Sequence, residues 1–134
     1  MADLLLVALN GVVVALDRST GAIRWENGLE GGGFGTVALA AVDERVYASA
    51  ESSQVYCLRY DTGETLWQSS AGTSGRATIV VQNERVYVAK GGEVTAFSTH
   101  GTHLWTQKLP GKGGGSIALG FPGNLVQSDD VGRD

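Results

Sequence analysis

The stretch "GAIRW" (residues 21–25) returns in outline as "GETLW" (63–67) and "GTHLW" (101–105). Every tryptophan of the chain therefore stands four residues after a glycine, in the pairs Gly21/Trp25, Gly63/Trp67 and Gly101/Trp105. The tryptophans are 42 and 38 residues apart. A period of that size is the length of a four-stranded propeller blade.

The flanks repeat with them. "DERVYASA" (43–50) matches "NERVYVAK" (83–90), and "VVALDRSTGAIRW" (13–25) matches "VYCLRYDTGETLW" (55–67) and, more loosely, "VTAFSTHGTHLW" (94–105). Each unit reads as short Val/Tyr-rich strands between Asn-Gly, Gly-Gly, Thr-Gly and Ser-rich breaks. Asn10-Gly11 suits a type I′ hairpin, whose two central residues need positive φ. Gly21, Gly63 and Gly101 stand where a tight turn needs a left-handed residue. Naming blade strands A to D, the pattern predicts thirteen. They are B (4–9), C (12–17) and D (22–26), then A (37–42), B (46–50), C (55–59) and D (65–68). A third unit follows with A (78–82), B (86–90), C (94–98) and D (103–107), and a partial fourth with A (117–121) and B (125–128). The chain is expected to be one partial propeller domain over 1–134, with repeat units at about 3–35, 36–75 and 76–115 and a partial unit at 116–134.

The pattern "VYALD..TG...W" resembles the PQQ-like (pyrroloquinoline-quinone-type) β-propeller repeat. The three Gly/Trp pairs match its end signature, and Val13–Asp17, Val55–Arg59 and Val94–Ser98 match the strand before it. Asp17 fits the acid usual there, Arg59 and Ser98 depart from it, and the third turn is one residue shorter. The resemblance implies an all-β propeller of four-stranded antiparallel blades in which each Trp packs between neighbouring blades. Trp25, Trp67 and Trp105 are accordingly expected to be equivalent and largely buried.

Three blades and a fraction do not make a ring, since closure takes at least about four. The terminal strands "LLLVAL" (4–9) and "SIALGF" (116–121) are apolar where end repeats normally carry polar caps. Unpaired apolar edges recruit strands, so closure by oligomerisation is expected, with a two-chain ring of about six blades the simplest product. Leu4, Leu6, Val12, Val14, Ile117, Leu119 and Leu125 are the expected oligomer edge. A segment of a longer chain is the other reading of the same ends. Strand B occurs at both ends, so simple closure leaves one strand too many.

Charge and chemistry narrow the function. The 134 residues carry 10 Lys and Arg against 14 Asp and Glu, a net charge of −4 without a basic run, which disfavours nucleic acid. Neither a signal peptide nor a bilayer-spanning apolar run is seen, so a cytoplasmic location and no membrane partner are expected. In the quinoprotein enzymes that share the repeat, the cofactor is held by stacking groups, a calcium ion and often a disulfide of adjacent cysteines. This chain has a single cysteine, Cys57, read as a buried structural thiol. Asp129 and Asp130 read as solvated charges. His100 and His103, three apart in a hairpin, are a poor match for the four ligands of zinc. The glycine runs at 30–35, 70–75 and 111–116 match no phosphate-binding motif and precede no helix, so they read as blade-to-blade connections. No catalytic, cofactor or metal residue is therefore expected. The D-to-A loops and B–C turns should share one face, with Arg76 and Lys112 nearby, and that face is a candidate protein-binding surface. The expected function is a non-enzymatic, self-assembling scaffold. The alternative is a quinoprotein-like or other small-molecule-binding propeller whose site forms only in the oligomer.

Overall fold

The computed structural model describes residues 3–72, 74–112 and 117–126. These residues form thirteen strands in four antiparallel sheets. The first sheet contains β1 (Leu4–Leu9), β2 (Val12–Asp17) and β3 (Ile23–Asn27), in that order. The second contains β4 (Val37–Val42), β5 (Arg45–Ala50), β6 (Gln54–Arg59) and β7 (Thr65–Ser70). The third contains β8 (Thr78–Gln82), β9 (Arg85–Lys90), β10 (Glu93–Ser98) and β11 (His103–Gln107). The fourth is a pair of three-residue strands, β12 (Leu119–Phe121) and β13 (Asn124–Val126). It is shorter than the expected 117–121 and 125–128, and residues 127–128 lie outside the described residues. The sheets do not close into a ring.

Local backbone chemistry explains the hairpins. Asn10 and Gly11 both have positive φ (49° and 80°), as a type I′ turn requires. The hairpins between β4 and β5 and between β8 and β9 use the same geometry without glycine, at Asp43-Glu44 and Asn83-Glu84. In the outermost hairpin of each full-length sheet the register slips at one place: after Ala15, Cys57 and Ala96, which face Trp25, Trp67 and Trp105. A bulge bends the strand and sharpens its twist. Its recurrence beside each tryptophan sets the ring's direction toward the next sheet.

Packing happens between sheets. Val13, Ala15 and Trp25 of the first sheet meet Val46, Ala48, Tyr56 and Leu58 of the second in one core. Tyr47, Val55 and Cys57 on the second sheet's other face meet Ile79, Val86, Val88 and Phe97 of the third in another. The innermost strands β1, β4 and β8 follow one another in contact, and β8 touches β12 and β13.

Two expectations are corrected here. Leu4 is 8% exposed and belongs to the first core, with Leu6 packed against it, so their side chains face the second sheet and not a second chain. The outward face of β1 carries Leu5 and Leu9, 54% and 51% exposed. The tryptophans also differ. Trp25 is 8% exposed and Trp105 41%, because only the short β12–β13 pair stands beyond the third sheet. Truncation should separate them. Trp67→Ala is expected to lower the unfolding free energy by about 3–5 kcal/mol, and Trp105→Ala, in dilute solution, by clearly less. Denaturant titrations giving equal losses for the two would show that the sheet beyond a tryptophan does not determine its contribution.

Candidate functional site

The recurring geometry of the molecule is a joint between consecutive sheets, built twice. Trp25 donates its indole Nε1–H to the Tyr60 carbonyl at 2.9 Å, and Trp67 donates to the Thr99 carbonyl at 2.9 Å. Under each ring lies the glycine of the next sheet's turn. A Cβ on Gly63 would stand 2.5 Å from Cδ2 of Trp25, and one on Gly101 would stand 2.7 Å from Cδ2 of Trp67. Glycine is therefore needed twice over, for its positive φ (80° and 94°) and for the ring's close approach. The "G…W" spacing is thus not one contact. Each tryptophan uses the glycine of the following unit, and its own glycine serves the preceding one.

The acceptor carbonyls are held in place by their own sheet. Tyr60 N–H donates to the Glu44 carbonyl and Thr99 N–H to that of Glu84, tying the outer turn to the inner one. The two joints then diverge. In the first, the Asn27 amide donates to Gly63 O at 2.8 Å and Thr65 Oγ1 at 3.0 Å, and the Tyr60 hydroxyl reaches across to Leu4. In the second, Arg45 donates to Thr99 O at 2.6 Å, and Trp67 packs against Tyr47 and Phe97 with ring centroids 6.3 and 5.9 Å away.

Lys90 has no such counterpart in the repeat, since Ala50 holds the same place in the second sheet. It is 2% exposed, and its Nζ donates to Ala50 O and Ser52 O, both at 2.6 Å. Burial pushes its pKa down to about 8, with Glu51 pulling the other way. Sequence comparison of the repeats gave no hint of this role. Cys57 is fully buried, and burial raises its thiol pKa, so it remains a protonated core residue at neutral pH.

The expected loop face is present among the described residues. The connection after β3, the hairpin between β5 and β6 and the loop after β7 are knitted together by Ser52 Oγ to Gly31 O (3.2 Å), Ala71 N to Ser53 O (2.8 Å) and Gly75 N to Glu51 O (2.6 Å). They border a shallow groove of about 360 Å³ beside Phe34, which is 88% exposed. Residues 113–116 and Asp129 and Asp130 lie outside the described residues. Lys112 is exposed, its amide donating to the Leu109 carbonyl. Arg76 lines a second, smaller groove near β4 and β8.

The two histidines do not converge on a site. His103 Nε2 lies 2.8 Å from Thr106 Oγ1 and its ring meets the edge of Phe97, while His100 is exposed in the turn. No cluster of three or more His, Cys, Asp or Glu suited to a metal ion occurs among the described residues. The expected oligomer-edge residues are dispersed. Leu4 and Leu6 face the first core, while Val12 and Val14 are half-buried in β2. Ile117 and Leu119 are also half-buried, and Leu125 is 63% exposed.

The family model described as outer membrane protein assembly factor BamB matches residues 1–120. No curated protein sequence matches the chain. Among solved structures, BamB from Moraxella catarrhalis matches with a TM-score of 0.65 at 22% identity, over 89% of this chain and 36% of that one. The computationally designed Ika8 protein matches with a TM-score of 0.68 at 21% identity, over 87% and 39%. The quinohemoprotein alcohol dehydrogenase from Comamonas testosteroni matches with a TM-score of 0.59 at 20% identity, over 77% and 19%. The chain thus spans about a third of BamB, and at these identities the likenesses concern the fold.

Two measurements follow from the site. The folded pKa of Lys90 lies below its ordinary 10.5, so between about 8 and 10.5 the unfolded chain binds the extra proton and Lys90 contributes stability that grows with pH. Cys57, Tyr47 and Tyr56, all raised by burial, act in the opposite sense toward the alkaline end. Melting temperatures of the parent and Lys90→Met should therefore be compared as a difference, which is expected to move in the parent's favour from pH 8 to pH 10; a flat difference would place the ammonium in water. Separately, neither a chelator nor added quinone with calcium should move the melting temperature. A shift of several degrees would count for the quinoprotein alternative.

Proposed function

Because the chain belongs to the PQQ-like β-propeller family described by the assembly factor BamB, we propose that it works without catalysis of its own, as a fractional propeller that joins a second copy and presents its loop face to protein partners. The observation that carries this reading is the outward face of the first sheet. Leu5, Leu9 and Ile23 are 54%, 51% and 60% exposed there, beside half-buried Val7, Val14 and Leu16. Leu5, Val7 and Leu9 bear no counter-surface among the described residues, although the residues in their places, Val46, Ala48 and Ala50 in the second sheet and Val86, Val88 and Lys90 in the third, are buried. Contiguous exposed apolar surface of this kind marks a protein contact.

At the other end of the molecule, Trp105 is 41% exposed where Trp25 is 8%. A propeller continues in one rotational sense, so a first-sheet face and a last-sheet face are complementary and not alike. Three sheets of full or near-full size per chain favour a two-copy ring of about six blades. On the loop face, Phe34 projects above a groove shared with Glu51 and Ser52. An exposed aromatic on a rigid scaffold suits protein recognition. The family's name, outer membrane protein assembly factor, agrees with protein handling.

Light scattering at micromolar concentration tests the reading. The parent chain is expected to show the mass of two copies and to lose it on dilution. Leu5→Lys combined with Leu9→Lys should give a folded single copy, since both positions point away from the core. A cooperatively folded parent that stays a single copy across the range would end the self-assembly proposal.

A further inference from the structure

The outer hairpin of the first sheet repeats, bond for bond, the receiving half of the two internal joints. In the internal copies, Arg59 N–H donates to Glu64 O and Gly63 N–H to Arg59 O, while Ser98 N–H donates to Thr102 O and Gly101 N–H to Ser98 O. In the first sheet, Asp17 N–H donates to Ala22 O and Gly21 N–H to Asp17 O. Where Tyr60 and Thr99 are tied inward to Glu44 and Glu84, Arg18 is tied inward to the Asp3 carbonyl at 3.1 Å. Gly21 has the same φ, 81°, as Gly63 at 80°. Yet a Cβ on Gly21 would meet nothing within 4 Å, and the residue is exposed where Gly63 is buried. The socket is complete in shape and holds no indole.

The exit side of the third sheet repeats the donor half. Asn27 Oδ1 accepts the Leu29 amide and Gln107 Oε1 accepts that of Leu109, at 2.8 and 3.1 Å. Both leucines adopt positive φ, 48° and 49°, and both carbonyls accept a later amide, from Gly32 and Lys112. In the first joint Leu29 is 1% exposed under the next sheet; Leu109 is only half-buried. Trp105 Nε1 has no acceptor among the described hydrogen bonds, and the Trp105 ring meets Tyr87 at 6.0 Å beside an apolar groove of about 320 Å³.

Resting on the self-assembly reading above, we infer that Trp105 of one copy docks on Gly21 of a second and donates its indole N–H to the Arg18 carbonyl there, remaking the internal joint between chains. The Gln107 amide then takes the place of the Asn27 amide and points to the Gly21 carbonyl. Leu109 is covered by the outward face of β2, where Val14 stands in the place that Tyr56 holds in the first joint.

This docking also disposes of the surplus strand. The Asp3–Arg18 bond fixes the ladder phase, so Leu5, Val7 and Leu9 bond toward β2, and the backbone groups of Leu4, Leu6 and Ala8 point off the free edge. The Tyr60 hydroxyl already occupies Leu4, at 2.7 Å from its nitrogen and 3.0 Å from its oxygen. That leaves Leu6 and Ala8 open, a stretch suited to a strand as short as β12. In the joined state β12 pairs with the open edge of β1 of the second copy as a fourth, innermost strand. The three-residue β13 yields its place to the six-residue β1, releasing the Asn124 contacts with Gln82 Oε1 (2.9 Å) and Val81 O (3.4 Å).

The test uses two full-length variants that each spoil one half of the joint. Gly21→Asn keeps the turn, because asparagine tolerates the left-handed backbone, and fills the socket. Trp105→Ala removes the indole and leaves the socket intact. Each alone should weaken self-association by roughly 100-fold, the effect of losing a buried aromatic anchor. Mixed, they should form a pair through one intact joint, Trp105 of the first variant on Gly21 of the second, with light scattering reporting two copies where neither partner alone does. Tryptophan emission should shift to the blue on mixing as Trp105 leaves water. A parent that never associates ends the self-assembly reading itself. A parent that associates while either variant does so equally well, or a mixture that stays single, overturns this joint and leaves self-assembly standing.

Discussion

The indole of one sheet lying on the glycine of the next is the contact on which this molecule depends. A four-stranded sheet alone has two apolar faces and no means of covering either. The tryptophan adds a large apolar area, roughly 150–250 Å², and a single polar handle that needs an acceptor when buried. The next sheet's turn provides both counterparts at once, a glycine with no side chain to keep the ring away and a carbonyl in reach of Nε1. Because the carbonyl is tied to the inner hairpin of its own sheet, the joint couples the outer rim of one blade to the inner end of the next. Sheet orientation is thereby set at two radii, which apolar packing by itself would not do.

Such a chain is close to one-dimensional in its energetics: each unit is stabilised by its neighbours and the ends by one neighbour only. The burial pattern follows this. Like positions of the outer strands show it: Trp25 in β3 is buried, Trp67 in β7 half-buried, and Trp105 in β11, beyond which only the short β12–β13 pair stands, exposed. The two internal joints are not copies in detail. The first relies on Asn27 and the Tyr60 hydroxyl, the second on Arg45, aromatic packing and the buried ammonium of Lys90. A buried lysine bonded to two backbone carbonyls fixes the hairpin between β5 and β6 against the third sheet, at the cost of desolvating a charge.

Most of the architecture was legible in the sequence, because strand, turn and joint each leave a mark. Thr-Gly turns, Asn-Gly and the Gly/Trp spacing fix positions that tolerate few other residues. What could not be read is equally physical. "LLLVAL" has no polar alternation, so nothing in it tells which leucines face inward; Leu4 and Leu6 go to the core and Leu5 and Leu9 outward only because the ladder starts at Asp3 and Arg18. A one-residue change of phase would exchange the sets. Lys90 aligns with Ala50 as an ordinary strand end, and its burial depends on a hairpin forty residues away. Trp105 looks the same as its fellows in sequence because its exposure is a property of the neighbour, not of the repeat.

A head-to-tail contact closes a ring when its rotation divides a full turn and otherwise continues into a filament. In the proposed assembly the rotation would not be free to vary, for the end-to-end contact would reuse a joint already made twice inside the chain. With the inferred contact each chain would advance by three such steps, so the copies needed for closure would follow from the angle of a single joint. The innermost strand sets how tightly the ring can draw in. Were β12 to supply it, only the Leu6 and Ala8 backbone of β1 would be open to pair, so the inner pairing would be short beside the outer Trp–Gly contact. Closure of such a ring would thus be governed at the rim, where the Trp–Gly contact is strict, more than at the axis, where the pairing is short.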